Sequence, residues 1–352
     1  MIRFLTSLLA AFGLAHPAWA WNAEGHMVVA QIAYIHLDPA VKAKCDALIA
    51  VPLSYGNSAN SNFVTASCWA DDYKGSLGTA IWHYIDLPFS LDGTPTDGVA
   101  TASFDVVQAI NLCVASLLSS SETQSNRAVN LRYLLHFVGD IHQPLHCSTA
   151  VSAAHTDGDA GGNLFYLTGS WGNLHSLWDA GGGYLNDSLS RPLGSSSQTT
   201  LSNKVTAIEA DYPYTPTVGT IPDPMNWAQE GLGLAQSVSY VGITQNSTPS
   251  SAYLSSTQST TEQRMAQAGH RLADLLTTIF ATEPIRLAPL TPIGGKFGFS
   301  WSAVSGRTYS VQWKRQFSDP AWNALTNVTA SGDTASFTES VAQTQRFYRV
   351  VQ

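Results

Sequence analysis

Residues 136–146 read HFVGDIHQPLH, and they hold three of the chain's ten histidines with Asp140 among them. On a helix, positions i and i+4 share a face, so His136 and Asp140 point the same way. His142, two positions past Asp140, turns aside and reads as a structural histidine. Pro144 ends or bends the helix before His146. An imidazole and a carboxylate one turn apart, with another imidazole just beyond a proline, form the pattern of a metal site.

Further stretches repeat the chemistry. NLHSLWD places His175 and Asp179 four apart, again one helical face. CWADDYK carries Asp71 and Lys74, WHYID carries His83, Tyr84 and Asp86, and GGN ends at Asn163. The first twenty residues, MIRFLTSLLAAFGLAHPAWA, have a basic start, an apolar run too short to span a bilayer, and a small-residue ending at Ala20. They read as a secretory signal peptide, so Trp21 becomes the mature N-terminus, with His26 five residues on. A free α-amine and its own carbonyl oxygen can chelate a metal. Trp21, His26, Asp71, His83, His136, Asp140, His146, His175 and Asp179 therefore form one set of imidazole, carboxylate and amine donors. The set suits Zn²⁺ without any cysteine. A single His–x3–Asp pair is ordinarily a surface ion pair. Two such pairs, a histidine after Pro144 and a mature terminus near a histidine are hard to explain as independent features.

Composition narrows the rest. Seventeen Lys+Arg against 25 Asp+Glu give a net charge of −8, which lacks the basic surface of a duplex-coating protein. A nucleic-acid enzyme stays open, because divalent metals in a cleft reverse the local field. No later segment is apolar enough to cross a membrane, and nothing implies an obligate protein partner. Export to the periplasm or outside the cell permits disulfides. Cys45, Cys68, Cys113 and Cys147 lack thiolate-zinc spacing, so structural bridges, at most two, are expected, with the pairing open. His36, His155 and His270 read as surface or loop residues.

Amphipathic helical runs dominate residues 21–283, including GHMVVAQIAYIHL, FDVVQAINLCVASLLSS and TTEQRMAQAGHRLADLLTTIFA. The Gly/Ser/Pro-rich stretch 180–225 reads as irregular cover. A Pro/Gly linker occupies 284–295. Residues 296–352 then alternate in short aromatic-rich runs, which predict a small β-sandwich-like accessory domain with its aromatics in the core. The fold class expected is mainly α, followed by this all-β C-terminal domain.

With these motifs in order, residues 21 to about 280 resemble the S1/P1 nuclease family, zinc-dependent secreted nucleases of phospholipase C/P1 nuclease-like fold. The resemblance implies three zinc ions per chain. One is implied at Asp71, His83, His136 and Asp140, a second at His146, His175 and Asp179. The third is implied at Trp21, His26 and the shared Asp140. Asp71, Lys74 and Asn163 match catalytic positions, and Tyr84 and Asp86 match positions that stack on and hydrogen-bond a base. The implied activity is hydrolysis of single-stranded DNA and RNA by zinc-activated water to 5′-phosphorylated products, with 3′-nucleotidase activity open. The stretch between His146 and Gly161 is longer than in the fungal enzymes, the cysteines do not match theirs, and the β tail is an addition.

Two competing readings remain. A zinc phospholipase C shares the helical fold and N-terminal Trp, but its last helical pair is typically His-x3-Glu, whereas here it is His175 and Asp179. A non-catalytic zinc-binding or adhesion protein is disfavoured by the intact ligand set with Lys74 and Asn163.

Overall fold

The computed structural model describes residues 21–351, except 120, 218, 220, 282–286, 289–295, 304–307, 333 and 341–345. The expected signal peptide and most of the expected linker therefore lie outside the described residues. Ten α-helices are present among them: α1 (Ala23–His36), α2 (Pro39–Ile49), α3 (Phe63–Ala66), α4 (Trp69–Leu77), α5 (Val106–Leu118), α6 (Gln124–Asp140), α7 (Leu174–Asp179), α8 (Ser195–Asp211), α9 (Pro224–Leu234) and α10 (Ser251–Ala281). Two short strands, β1 (Pro88–Ser90) and β2 (Thr149–Val151), pair in parallel among the helices. None of the helices is long and apolar enough to cross a membrane.

Local chemistry sets most helix starts. The side chains of Asn22, Asp38, Thr123, Asn173 and Asp223 accept hydrogen bonds from the first free amides of α1, α2, α6, α7 and α9. Asp105 and Gln108 form a reciprocal capping box at α5. α6 stops at Asp140, four residues before Pro144, which opens a 3-10 turn through Cys147.

α1 and α6 are the central helices. α1 is buried almost continuously from Glu24 to Ala33, and α6 from Leu131 to Asp140. A helix apolar on every side belongs in the middle of a core. α10, 31 residues and so about 46 Å long, packs along α1. The contact is close at Gly269, where a Cβ would stand 2.3 Å from Cγ2 of Ile32. Two buried arginines brace this layer. Arg132 donates to the carbonyls of Ala128 and Ile49, tying α6 to the end of α2. Arg264 of α10 donates to the carbonyl of His142 and to Glu230, holding the turn after α6. His142 itself is buried, with Nδ1 on the Val138 carbonyl and Nε2 beside Arg271, the structural role expected of it.

Five strands follow the helices: β3 (Lys296–Ser302), β4 (Thr308–Lys314), β5 (Asn323–Thr329), β6 (Thr334–Ser340) and β7 (Phe347–Val351). β3 pairs with β6, and β5, β4 and β7 form a three-stranded antiparallel sheet. Phe299, Trp301, Tyr309 and Val311 fill a core of their own, as the aromatic alternation predicts. Phe317 is the exception, 76 % exposed.

Two expectations need correction. Segment 180–225 is not all irregular, because it contains the 17-residue α8. Its Ser/Thr-rich composition hides Leu201, Val205 and Ile208, which are spaced along one face and are the buried residues of that helix. The cysteines do not pair either. All four are buried free thiols. Cys45 and Cys113 belong to α2 and α5 and pack in the main core. Cys68 donates to the Ala23 carbonyl and Cys147 to the Ile141 carbonyl. They behave as small apolar groups, not as staples.

Gly269→Ala is expected to destabilise the protein by about 1–3 kcal/mol through overpacking of α10 on α1. Gly233→Ala, in α9 with nothing within 4 Å of its Cβ position, is expected to be neutral or slightly stabilising. Urea denaturation midpoints of the two variants measure the difference.

Candidate metal centre

The end of α6 delivers His136 and Asp140 into a fully buried space, and the turn after it delivers His146. α7 adds His175 and Asp179 one turn apart. α1 supplies His26, α4 supplies Asp71 and Lys74, and a 3-10 turn ends at His83. Eight of the nine ligand candidates thus converge through their side chains.

They form overlapping groups. Nδ1 of His83 and Nε2 of His136 lie 3.0 and 3.3 Å from Oδ2 of Asp140, and 3.7 and 3.5 Å from Oδ1 of Asp71. Nε2 of His26 lies 3.4 Å from the other Asp140 oxygen, and its ring stacks on His136 at 3.7 Å. Nε2 atoms of His146 and His175 face each other at 3.2 Å, with Asp179 oxygens 3.9 and 3.6 Å away. Trp21 is placed differently. Its indole is fully buried, and the following amide, of Asn22, donates to the Asp179 carbonyl at 3.1 Å. The main chain at residues 21–22 therefore runs against the end of α7.

Backbone carbonyls set the tautomers. Nδ1 of His136 lies 2.6 Å from the Ser67 carbonyl, that of His146 2.8 Å from the His83 carbonyl, and that of His175 2.7 Å from the Gly161 carbonyl. A carbonyl accepts only, so each Nδ1 carries a proton, and in the neutral imidazole each Nε2 presents a lone pair. In His146 and His175 two lone pairs then meet at close range, an arrangement a cation between them relieves. Both oxygens of Asp140 and both nitrogens of His26 are buried without a hydrogen-bond partner. Buried polar groups are seldom left so, and these are all metal-ligating atoms. The donor set fits a cluster of divalent ions.

The electrostatics agree. Burial, and next to it His136, pushes the His26 pKa down to about 3, so the imidazole stays neutral, the form that ligates. Burial raises Asp71, but His136, His83 and Lys74 outweigh it and hold the carboxyl well below its usual range. Burial pushes Asp179 well above its usual range, and the charges of Asp71 and Asp140 add to it. Three carboxylates close together in a buried site call for compensating positive charge.

The remaining candidates are partly placed with this cluster. Lys74 is buried, with Nζ 3.0 Å from Asp71 Oδ1. Tyr84 and Asp86 lie on the segment leading into β1, which runs beside His146: the Ile85 amide donates to the His146 carbonyl at 2.8 Å. Both side chains are half-buried. Asn163 donates Nδ2 to the Ala160 carbonyl at 2.8 Å, at the start of the turn that supplies the Gly161 carbonyl.

That turn depends on a residue the sequence reading passed over. Asp159 is buried and accepts from the amides of Ala150 and Gly162 and from the Tyr240 hydroxyl, at 2.9, 3.0 and 2.7 Å. It holds the loop in which Gly161, at φ 62°, turns its carbonyl to His175. A Cβ there would stand 2.3 Å from the Leu145 carbonyl oxygen. An aspartate just before a Gly-Gly pair is a turn signal legible in DAGGN. Gln143, also passed over, donates to Asp179 at 2.7 Å.

The S1/P1 Nuclease family model matches residues 21–281. The chain belongs to the S1/P1 nuclease family. It is 28% identical over 301 residues to Endonuclease 3 of Arabidopsis thaliana, covering 80% of this chain and 96% of that one. It is 30% identical over 202 residues to Nuclease S1 of Aspergillus oryzae, covering 52% and 64%. Nuclease P1 of Penicillium citrinum is 31% identical over 170 residues, 45% and 57% of the two chains. A member of this family is a nuclease and a hydrolase, and its His/Asp clusters are those of a metal-dependent enzyme.

Removing the Asp159 side chain is expected to loosen the carbonyl that orients His175. For Asp159→Ala we expect the affinity of the His146, His175 and Asp179 group for a divalent ion to fall by about 10–100-fold. Zinc competition against a chromogenic chelator reads this directly. Unchanged affinity would show that the loop is held by other contacts.

Proposed function

We propose that this protein is a secreted nuclease that binds three Zn²⁺ and cleaves single-stranded DNA and RNA to 5′-phosphorylated products. The observation that carries the reading is the merging of the His/Asp groups through Asp140 and His136, with Lys74 against Asp71 beside them. Asp71, His83, His136 and Asp140 would hold one ion, and His146, His175 and Asp179 a second. His26, Asp140 and the amine and carbonyl of a processed Trp21 would hold the third. Bound zinc supplies Lewis acidity toward the phosphate and lowers the pKa of water toward ~7.

The chain's own residues do the rest. Asp71, held ionised by the groups around it, accepts a hydrogen bond from the attacking water and orients it. Lys74 and Asn163 donate to the phosphoryl oxygens as their charge grows, a contribution of the order of 10²–10³ in kcat for one well-placed donor. Tyr84 stacks on a base that only an unpaired strand can offer. Asp86 hydrogen-bonds that base.

Asp86 has a pH signature. Burial, then repulsion from Asp159, raises its pKa to about 6. Below that pH the carboxyl is neutral and can donate; above it, the carboxylate only accepts. The KM for short single strands is expected to change through pH ~6, and Asp86→Asn to flatten that change while leaving the pH profile of kcat in place. A KM step retained in the variant would remove Asp86 from base recognition.

The main test uses protein beginning at Trp21, with zinc content and cleavage measured on one preparation. About three zincs per chain and EDTA-sensitive release of 5′-phosphates are expected. Three zincs with turnover of phosphatidylcholine but not RNA would move the assignment to a phospholipase C. A version with residues left before Trp21 turns the amine into an amide, so it is expected to hold one ion fewer and to lose most activity.

A further inference from the structure

Apart from this centre, three more metal-ligating side chains converge from three helices. His36 ends α1, Glu209 lies in α8, and His270 lies in α10. Nε2 of His36 is 2.7 Å from Oε2 of Glu209, and Nε2 of His270 is 2.7 Å from Oε1. The ligand atoms all lie within 4.8 Å of one another. Their side chains are 16–21 % exposed, held in place yet open to solvent. His36 and His270, expected as surface or loop residues, are partly exposed and joined through Glu209.

The surroundings are built around this trio. The Tyr214 ring packs 4.1 Å from His36 and 5.1 Å from His270, centroid to centroid. Tyr214 is fixed in turn by its hydroxyl on Asp274, whose other oxygen takes the Thr217 hydroxyl. Among the described residues no lysine or arginine pairs with Glu209, so only imidazoles answer its charge. His36 also sits at a helix C-terminus, where the carbonyl ends favour a cation.

We propose that His36, Glu209 and His270 form a peripheral site for a divalent transition-metal ion of the Zn²⁺ class. Zinc binds imidazole nitrogen at ~2.0–2.1 Å and carboxylate oxygen at ~2.0–2.2 Å, so tetrahedral neighbours stand about 3.3–3.4 Å apart. Each imidazole need retreat from the carboxylate by less than about 1 Å from its present contact to admit the ion. Metal–ligand bonds then replace two N–H···O bonds: each Nε2 gives up its proton, Nδ1 carries the single proton of the neutral imidazole, and water takes the fourth position. Ligands from α1, α8 and α10 make the ion a clamp across three helices. His26 lies ten residues earlier on α1, about 15 Å along its axis, so the clamp steadies the helix that presents His26 without touching the reacting centre.

The test compares the intact mature protein with Glu209→Gln and His270→Ala. All three are equilibrated at micromolar free zinc, and zinc per chain is counted by mass spectrometry. Each variant is expected to hold one ion fewer than the parent, with nuclease activity at saturating zinc unchanged. The parent's unfolding temperature should keep rising with zinc after activity has saturated, and the variants' should not. Should His270→Ala fail to fold, His36→Gln, which keeps a hydrogen-bond donor near Glu209, gives the same comparison. Equal zinc counts and equal thermal responses would overturn the proposal and leave a hydrogen-bonded triad. The count is a difference between proteins, so it stands or falls independently of the ions at the other centre.

Discussion

Asp71, Asp140 and Asp179 are held close together in the interior, and much of the structure follows from that constraint. Carboxylates removed from water are tolerated only where opposite charge and hydrogen bonds answer them. Lys74 answers one, Gln143 another, and the imidazoles of five helices and turns surround all three. Three of the imidazoles, those of His136, His146 and His175, are oriented by backbone carbonyls, and Asp159 holds the loop that supplies one of them. These three ligand candidates are therefore oriented independently of any ion, as preorganised ligation requires.

The same constraint explains the buried character of the two central helices. α6 is buried on every side in its second half, and its last two turns carry the ligand candidates His136 and Asp140. Arg132 and Arg264 spend their hydrogen bonds on backbone carbonyls and on Glu230, not on the centre.

How much was legible depends on the range of the interaction. His136 with Asp140 and His175 with Asp179 are local pairs, so helical spacing alone placed them correctly. The strand pattern after residue 296 was readable for the same reason. The Ser67, His83 and Gly161 carbonyls were not, because each reaches its histidine across long chain separations that no local pattern encodes. α8 was overlooked because Ser and Thr dominate SSSQTTLSNKVTAIEAD, although its three apolar residues keep helical spacing. The pairing of His36 and His270 through Glu209 joins three helices and is visible only after they pack.

The free thiols carry a consequence for reactivity. Burial pushes Cys68 and Cys147 up to about 12 and Cys45 and Cys113 higher still, so almost none is thiolate at neutral pH. Thiolate is the form that oxidants and exchange catalysts attack. Once folded, this chain offers such reagents almost nothing. The four cysteines therefore act in the folded chain as small packing groups rather than as redox handles.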